Sequence, residues 1–237
     1  MLRELGSLIN RDVLTVTGRT LGEEIDDAGP GFPQDIIRPL QNPIYPQDSL
    51  AVLRGNLAPG GAIIKQAAVS PALLEHSGPA VVFENAADLA ARIDDPALEA
   101  TPESVLVLKN IGPVGNPGMP EAGYLPIPKK LATQGVKDMV RISDGRMSGT
   151  AAGAVVLHVT PESAVGGPLR LVRTGDTIKL SVSRRLVQLE VPEEELERRE
   201  KELGPASPTI PDRGYRRLYV QEVTQADEGC DFRFLSQ

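Results

Sequence analysis

From about residue 50 onward the chain is a series of short apolar runs cut apart by turn residues. "SLAVLRGNLAPGGAIIKQAAV" holds two such runs separated by Gly-Asn and Pro-Gly-Gly, the pattern of a strand pair. "GPAVVFEN" predicts another strand, and "NAADLAARIDD" predicts a helix opened by Asn85 as its cap. "SVLVLKN" reads as a buried strand, and "VKDMVRIS" as a further strand ending at "DGRMSGT". "AGAVVLHV" is apolar throughout, so its periodicity leaves strand and helix open. "LRLVRTGDTIKLSV" predicts a β-hairpin turning at Thr-Gly-Asp, and "RRLVQLEV" adds a strand. Pro192 opens the acid-first helix "PEEELERREKEL", and "GYRRLYVQEV" predicts a last short helix before a polar tail.

Upstream the texture differs. Residues 1–27 predict a short helix at "LRELGSLIN", a strand at "DVLTVTG" and helical character at "RTLGEEIDD". Residues 28–49 carry Pro30, Pro33, Pro39, Pro43 and Pro46, which block both helix and central strand, so they read as an extended connector. Residues 50–237 then form the main domain. It has many short strands, scattered helices and no regular βαβα alternation. That pattern favours a mixed α/β, barrel-like domain over a doubly wound sheet.

Composition narrows the chemistry. Hydrophobic residues make up 41% of the 237 positions, enough for a buried core. Aromatics are 3% and tryptophan is absent, so the core is built from Val, Leu, Ile and Ala. A net charge of −7 argues against a nucleic-acid surface. No apolar run approaches the ~20 residues that span a bilayer, and the N-terminus lacks a signal-peptide core. The expectation is a cytoplasmic protein that contacts neither nucleic acid nor membrane.

Cys230 is the single cysteine, so this chain alone forms no disulfide, structural zinc site or iron–sulfur cluster. It reads as a packing or surface residue. His158 lies in an apolar run and reads as a hydrogen-bonded core residue, whereas His76 reads as solvated in a polar turn. The carboxylates of "EEELERRE" fall at helical spacing and read as a solvated face of Glu–Arg pairs.

Two glycine-rich stretches remain. "GPVGNPGMPEAGYLPIPKKL" is Gly-x-x-Gly-x-x-Gly, which matches neither the dinucleotide fingerprint nor a Walker loop. It is either a linker or an ordered loop that presents Glu121, and a lone carboxylate there suits an oxygen ligand for Mg²⁺. In "SDGRMSGTAAG" the order Gly-x-x-Ser-Gly is not a nucleophile elbow. It reads as a turn with Asp144 or Ser148 as a helix cap, or as a loop at a strand end where Ser148 meets a ligand.

Taken in order, "LTVTGRTLGE", "IRPLQNPIYPQDSLAVLRGNLAPGGAIIK", "GPVGNPGMPE", "SDGRMSGTAAGAVVLHVTPESAVGGPL", "LVRTGDTIKL" and "GCDFRFL" resemble the C-terminal part of the dihydroxy-acid / sugar-acid dehydratase family. The resemblance runs from about residue 12 to 235. "GMPEAGYLPIPKKL" and "DGRMSGTAAG" look more like the aldonic-acid members acting on arabinonate and xylonate, because the branched-chain amino-acid enzymes more often read Phe before the serine.

The resemblance implies a swivelling β/α-barrel domain with short flanking helices. Residues 1–27 would be the tail of an N-terminal domain that carries three cluster cysteines and the rest of a Mg²⁺ site. The implied reaction is dehydration of a 2,3-dihydroxy acid to a 2-keto-3-deoxy acid, with Mg²⁺ and an iron–sulfur cluster as cofactors. Glu121 would be a Mg²⁺ ligand and Ser148 the base, and Gly149 and Thr150 would line the substrate pocket. The cluster ligands would lie outside this chain, which is expected to be inactive without the N-terminal domain and to work in a homo-oligomer. The alternatives are a dihydroxy-acid dehydratase of branched-chain synthesis, or a non-catalytic sugar-acid-binding or assembly module.

Overall fold

The computed structural model describes residues 1–237 apart from 30, 47, 119–120, 122–124, 147–151 and 236–237. The chain divides into two compact units, Met1–Asp48 and Ser49–Gln237.

In the first unit, α1 (Leu2–Leu5) is followed by a single 3₁₀ turn. α2 (Leu21–Asp27) opens on a capping box, in which Thr20 accepts from the Glu23 amide and Glu23 reaches back to the Thr20 amide. The expected strand at "DVLTVTG" is not formed. The chain turns back at Thr15 to Gly18 and leaves only one bridge, Leu14 to Thr20, with Val16 fully exposed. A lone alternating run with no partner ladder does not hold as a strand. Among the described residues, 28–48 form neither helix nor strand.

The second unit is built on eight strands: β1 (Ala51–Gly55), β2 (Ala58–Ile64), β3 (Glu75–Phe83), β4 (Val105–Leu108), β5 (Arg141–Ser143), β6 (Val155–Thr160), β7 (Thr177–Ser181) and β8 (Leu186–Leu189). They close into a barrel in the order β1-β2-β6-β5-β4-β3-β7-β8. The strands β3, β4, β5 and β6 run parallel to one another, and the remaining neighbours are antiparallel except the closing β1–β8 bridge. The ambiguous run "AGAVVLHV" is therefore strand β6.

Alternation explains why the parallel strands are apolar on both faces. Ala80, Val82, Val105, Val107, Ile142 and Val156 point into the barrel and join side chains from all eight strands in one core. Val81, Phe83, Leu106 and Leu108 point outward into a second core. That second core is covered by α3 (Ala86–Arg92) through Leu89 and by α4 (Lys129–Thr133) through Leu131. The Asn85 side chain caps α3 as expected, accepting from the Asp88 amide at 3.0 Å.

The hairpin expected within "LRLVRTGDTIKLSV" is not present. Its first half is a 3₁₀ turn, Pro168–Leu171, and its Thr-Gly-Asp turn lies against β3 instead. Val82 donates to Thr174 Oγ1, Gly175 to the Ala80 carbonyl, and Ala80 to the Asp176 carbonyl. The actual hairpin is β7–β8.

α5 (Glu193–Leu203) begins at Pro192, and α6 (Gly214–Glu222) follows a proline-bearing segment. One face of α5 is the solvated set of Glu–Arg pairs that was expected, but Arg199 turns inward. It is buried and holds both carboxylate oxygens of Asp176, at 2.6 and 2.9 Å.

Candidate active site

Because β3 to β6 are parallel, their C-terminal ends share one rim of the barrel, and the loops after Phe83, Leu108, Ser143 and Thr160 emerge together there. Ligands in parallel sheets bind at that end, where loops rather than strand backbone face solvent. Both glycine-rich stretches start from this rim.

Residues 109–118 of the loop after β4 are held by a set of specific contacts. Lys109 is buried and its ammonium donates to Glu84 Oε1 at 2.9 Å and to the Arg170 carbonyl at 3.1 Å, which ties the β3 and β4 loops together. Asn110 takes a left-handed φ of 59° and its side chain donates to the Glu84 carbonyl.

Two buried carboxylates then hold the glycine–proline segment. Asp144 accepts from the amides of Asn110, Ile111 and Ser163 at 3.2, 2.9 and 2.8 Å. Glu162 accepts from the amides of Val114 and Gly115 at 2.9 and 2.8 Å and from the Gln225 side chain at 2.8 Å. The tight fit requires Gly112, where an added Cβ would lie 2.5 Å from Glu162 Oε2. Burial pushes both carboxyls above their ordinary range, and the backbone donors pull each part of the way back. For Glu162 the nearby Asp144 adds to the upward push. The segment is an ordered loop over this stretch, not a linker.

Sequence reasoning considered Asp144 only as a helix cap and passed over Glu162. Asp144 caps no α-helix among the described residues; its carboxylate joins the loops after β4 and β6. A signal was present in both cases, since Asp144 follows directly on the buried strand β5 and Glu162 lies two residues after β6.

The second strand to contribute, β5, begins at Arg141, whose buried side chain pairs with that of Asp138 at 3.1 Å. Asp138 and Arg141, on either side of the apolar Met139 and Val140, were likewise a legible signal. Arg141 also donates to the carbonyls of Met139, Leu125 and Ala152.

Of the residues expected to act, Glu121 is exposed at the far end of the glycine–proline loop. Ser148, Gly149 and Thr150 lie outside the described residues; the chain carrying them leaves the rim at Asp144, and Ala152 lies beside Arg141 just before β6. Next to the rim is a cavity of about 780 Å³ whose lining includes Lys109, Asn110, Gly115, Pro117, Arg170 and Arg216. Lys109, Arg170 and Arg216 line it together with one carboxylate, Glu84, which pairs with Lys109, so the lining carries a net positive charge in a chain of net charge −7.

His158 is only half-buried, with a φ of 53°. Its amide donates to the Gly145 carbonyl at 3.1 Å. Burial, and then the charge of Arg146, hold the ring below its ordinary pKa, so it is neutral near pH 7. It is thus less enclosed than the core residue expected. His76 is not in a turn: it lies in β3, and its ring is 2.9 Å from the Glu103 carbonyl.

Cys230 packs beside Val114, Val220 and Val223, and burial pushes its thiol up, away from the thiolate form that ligates metals. Among the described residues no three His, Cys, Asp or Glu side chains converge to hold a metal. An iron–sulfur cluster does not fit the residues of this chain. Mg²⁺ fits only as far as one exposed carboxylate, Glu121, offers one oxygen ligand. No described helix is long and apolar enough to cross a membrane.

Comparison with known proteins adds a family. The sequence profile described as "Dihydroxy-acid/6-phosphogluconate dehydratase C-terminal" matches residues 35–230. An L-arabonate dehydratase of Azospirillum brasilense is 51% identical over 239 residues, covering 99% of this chain and 41% of that protein. A 6-deoxy-6-sulfo-D-gluconate dehydratase of Pseudomonas putida is 50% identical, with the same two coverages. A dihydroxy-acid dehydratase of Caldicellulosiruptor saccharolyticus is 41% identical over 224 residues, covering 94% of this chain and 40% of that protein. The chain spans about two fifths of the length of these relatives.

Proposed function

Since the chain belongs to the dihydroxy-acid/6-phosphogluconate dehydratase C-terminal family, we propose that it is the C-terminal portion of a cytoplasmic sugar-acid dehydratase. The enzyme converts a 2,3-dihydroxy aldonic acid to a 2-keto-3-deoxy acid. The observation that carries this reading is the near-complete match at 50–51% identity to two sugar-acid dehydratases, against 41% to a dihydroxy-acid dehydratase. The cationic cavity beside the rim supports an acidic substrate.

In this reading the Ser148 alkoxide takes the proton from C2, the C–O bond at C3 breaks, the departing hydroxide takes that proton back from the serine hydroxyl and leaves as water, and the resulting enol tautomerises to the ketone. A serine hydroxyl is a weak base at its free pKa, so its alkoxide depends on positive charge and oriented donors around it. Gly149 and Thr150 line the substrate pocket beside it. Glu121 supplies one oxygen to Mg²⁺. That ion and an iron–sulfur cluster held by residues outside this chain provide Lewis acidity when bound. Residues 1–27 belong with the cluster-bearing domain, 28–49 connect it, and 50–237 form the C-terminal domain. The assembled enzyme is a homo-oligomer.

The test is Ser148→Ala in the enzyme assembled with its cysteine-bearing portion. Exchange of the C2 proton of an aldonate with solvent deuterium is expected to vanish, while the cluster's absorption spectrum is unchanged. Retained exchange removes Ser148 from the role of base. A panel of pentonates against a branched-chain dihydroxy acid tests the substrate class.

A further inference from the structure

Arg170, from the 3₁₀ turn Pro168–Leu171, lines the cavity beside the rim. It is half-buried, and among the described residues it holds no carboxylate; its Nη2 donates to the Gly204 carbonyl at 2.7 Å. The fully buried arginines of this unit differ: Arg141 pairs with Asp138, and Arg199 with Asp176. A guanidinium carries several N–H donors in a planar fork, and a partly desolvated charge is costly until a counter-charge meets it.

Lys109 is in a similar state on the same lining. Its ammonium has three donors, of which two are used, toward Glu84 and the Arg170 carbonyl. The ion pair is lopsided, since the Lys109 side chain is 5% exposed and that of Glu84 61%. Water therefore screens the carboxylate while the ammonium stays desolvated, and the interior of the cavity keeps a positive charge. Arg216 of α6 is exposed and adds a third cation to the lining; among the described residues it has no ion-pair partner. Pro205, Pro208 and Pro211 stiffen a wall that also carries the hydroxyls of Ser207 and Thr209. The volume of about 780 Å³ lies within the range of small-molecule sites.

We propose that this cavity is an oxyanion site, in which the Arg170 fork and the third donor of Lys109 bind a carboxylate or phosphate group and Arg216 adds attraction from the surface. Every residue it uses is a described residue of this chain, so binding requires neither Mg²⁺ nor a cluster. The oxyanion is either inorganic phosphate or the acidic end of a sugar acid, and only the second source rests on the dehydratase reading.

Calorimetry on the 237-residue chain, in low-salt buffer without Mg²⁺, uses inorganic phosphate, a pentonate and the corresponding neutral pentitol as probes. Saturable oxyanion binding is expected with a Kd of about 1 mM, the scale for so small a group. It weakens as salt rises, and the pentitol does not bind. Arg170→Gln is expected to weaken binding by about 10- to 100-fold, the scale of a lost charge-assisted hydrogen bond. Arg216→Gln alters only an exposed side chain and is expected to weaken it by about two- to fivefold. Lys137→Gln removes an exposed charge that is not part of the lining, and leaves the Kd unchanged.

Phosphate displaced by the pentonate, or the pentonate bound alone, assigns the site to the acidic end of a sugar acid. Phosphate that the pentonate does not displace assigns it to the inorganic anion, and either result supports the site. The site is overturned if neither oxyanion saturates by about 20 mM, if the pentitol binds as well as the pentonate, or if Arg170→Gln binds no more weakly than Lys137→Gln. Should Arg170→Gln not fold, an unchanged Kd in Arg216→Gln and at raised salt overturns it equally. Turnover by the assembled enzyme is a separate measurement, and its absence contradicts the dehydratase reading while leaving the oxyanion site standing.

Discussion

Truncating Glu162 to alanine probes the carboxylate that holds the middle of the glycine–proline loop. The change leaves the Val114 amide, the Gly115 amide and the Gln225 side-chain amide without their acceptor. Gly115 is exposed, so water replaces its bond, whereas Val114 is buried. Each donor left unsatisfied costs about 1–3 kcal/mol, and release of a desolvated carboxylate returns part of that. The net loss is about 3 kcal/mol, which for a unit of this size lowers the Tm by about 6–12 °C.

The pH dependence follows from the raised carboxyl. Between the ordinary glutamate range and the raised value, the folded protein binds more protons at Glu162 than the unfolded chain does. That contribution to stability is complete below the ordinary range and declines as pH rises through the window. The penalty of Glu162→Ala is therefore largest in mild acid and smaller, but still present, at pH 7. Urea unfolding at several pH values, paired with amide exchange across residues 112–118, measures both. A loss below about 1 kcal/mol with unchanged protection of Val114 would refute the reasoning, since a buried orphan donor alone costs that much.

Two further outcomes follow from the same structure. Glu195 bonds both Arg198 and Arg199, and these hydrogen bonds bring its carboxyl down to about 2. Its contribution is present above the ordinary glutamate range and is lost as pH falls toward that value. Glu195→Gln should flatten the decline in Tm between about pH 5 and 3; an unchanged slope contradicts the pairing. Gly78 in β3 lies where a Cβ would meet the Glu103 carbonyl oxygen at 1.9 Å. Gly78→Ala should cost about 3 kcal/mol or more in urea unfolding, because backbone has to move, and a near-neutral effect would mean that the two segments are not in contact.

The parts of the fold that were legible in the sequence are those set by neighbours along the chain. Strands β3 and β4 declared themselves by apolar alternation on two buried faces, the β1–β2 pair by its turn residues, and α3 by Asn85. What failed was long-range. The Thr-Gly-Asp turn at residues 174–176 has a hairpin's composition, but its partner, β3, lies more than ninety residues earlier. The real turn between β7 and β8 contains no glycine and places Arg185 at a φ of 55°, so it carries no hairpin signature.

For the site, the six-motif resemblance supplied Glu121 and Ser148, which spacing alone did not. Asp144, Glu162 and Arg141 were missed because their partners are backbone groups of distant loops, and a backbone amide leaves no mark in a sequence. What they had in common was a charge placed at the end of a buried strand.

The most direct measurement of the central claim is 2-keto acid formation from pentonates, assayed with the 237-residue chain alone and again with the cysteine-bearing portion added. The chain has a single cysteine, and among the described residues no three His, Cys, Asp or Glu side chains converge on a metal site, so the account predicts no product alone and turnover only on reconstitution. Product formed by the purified chain by itself would contradict it.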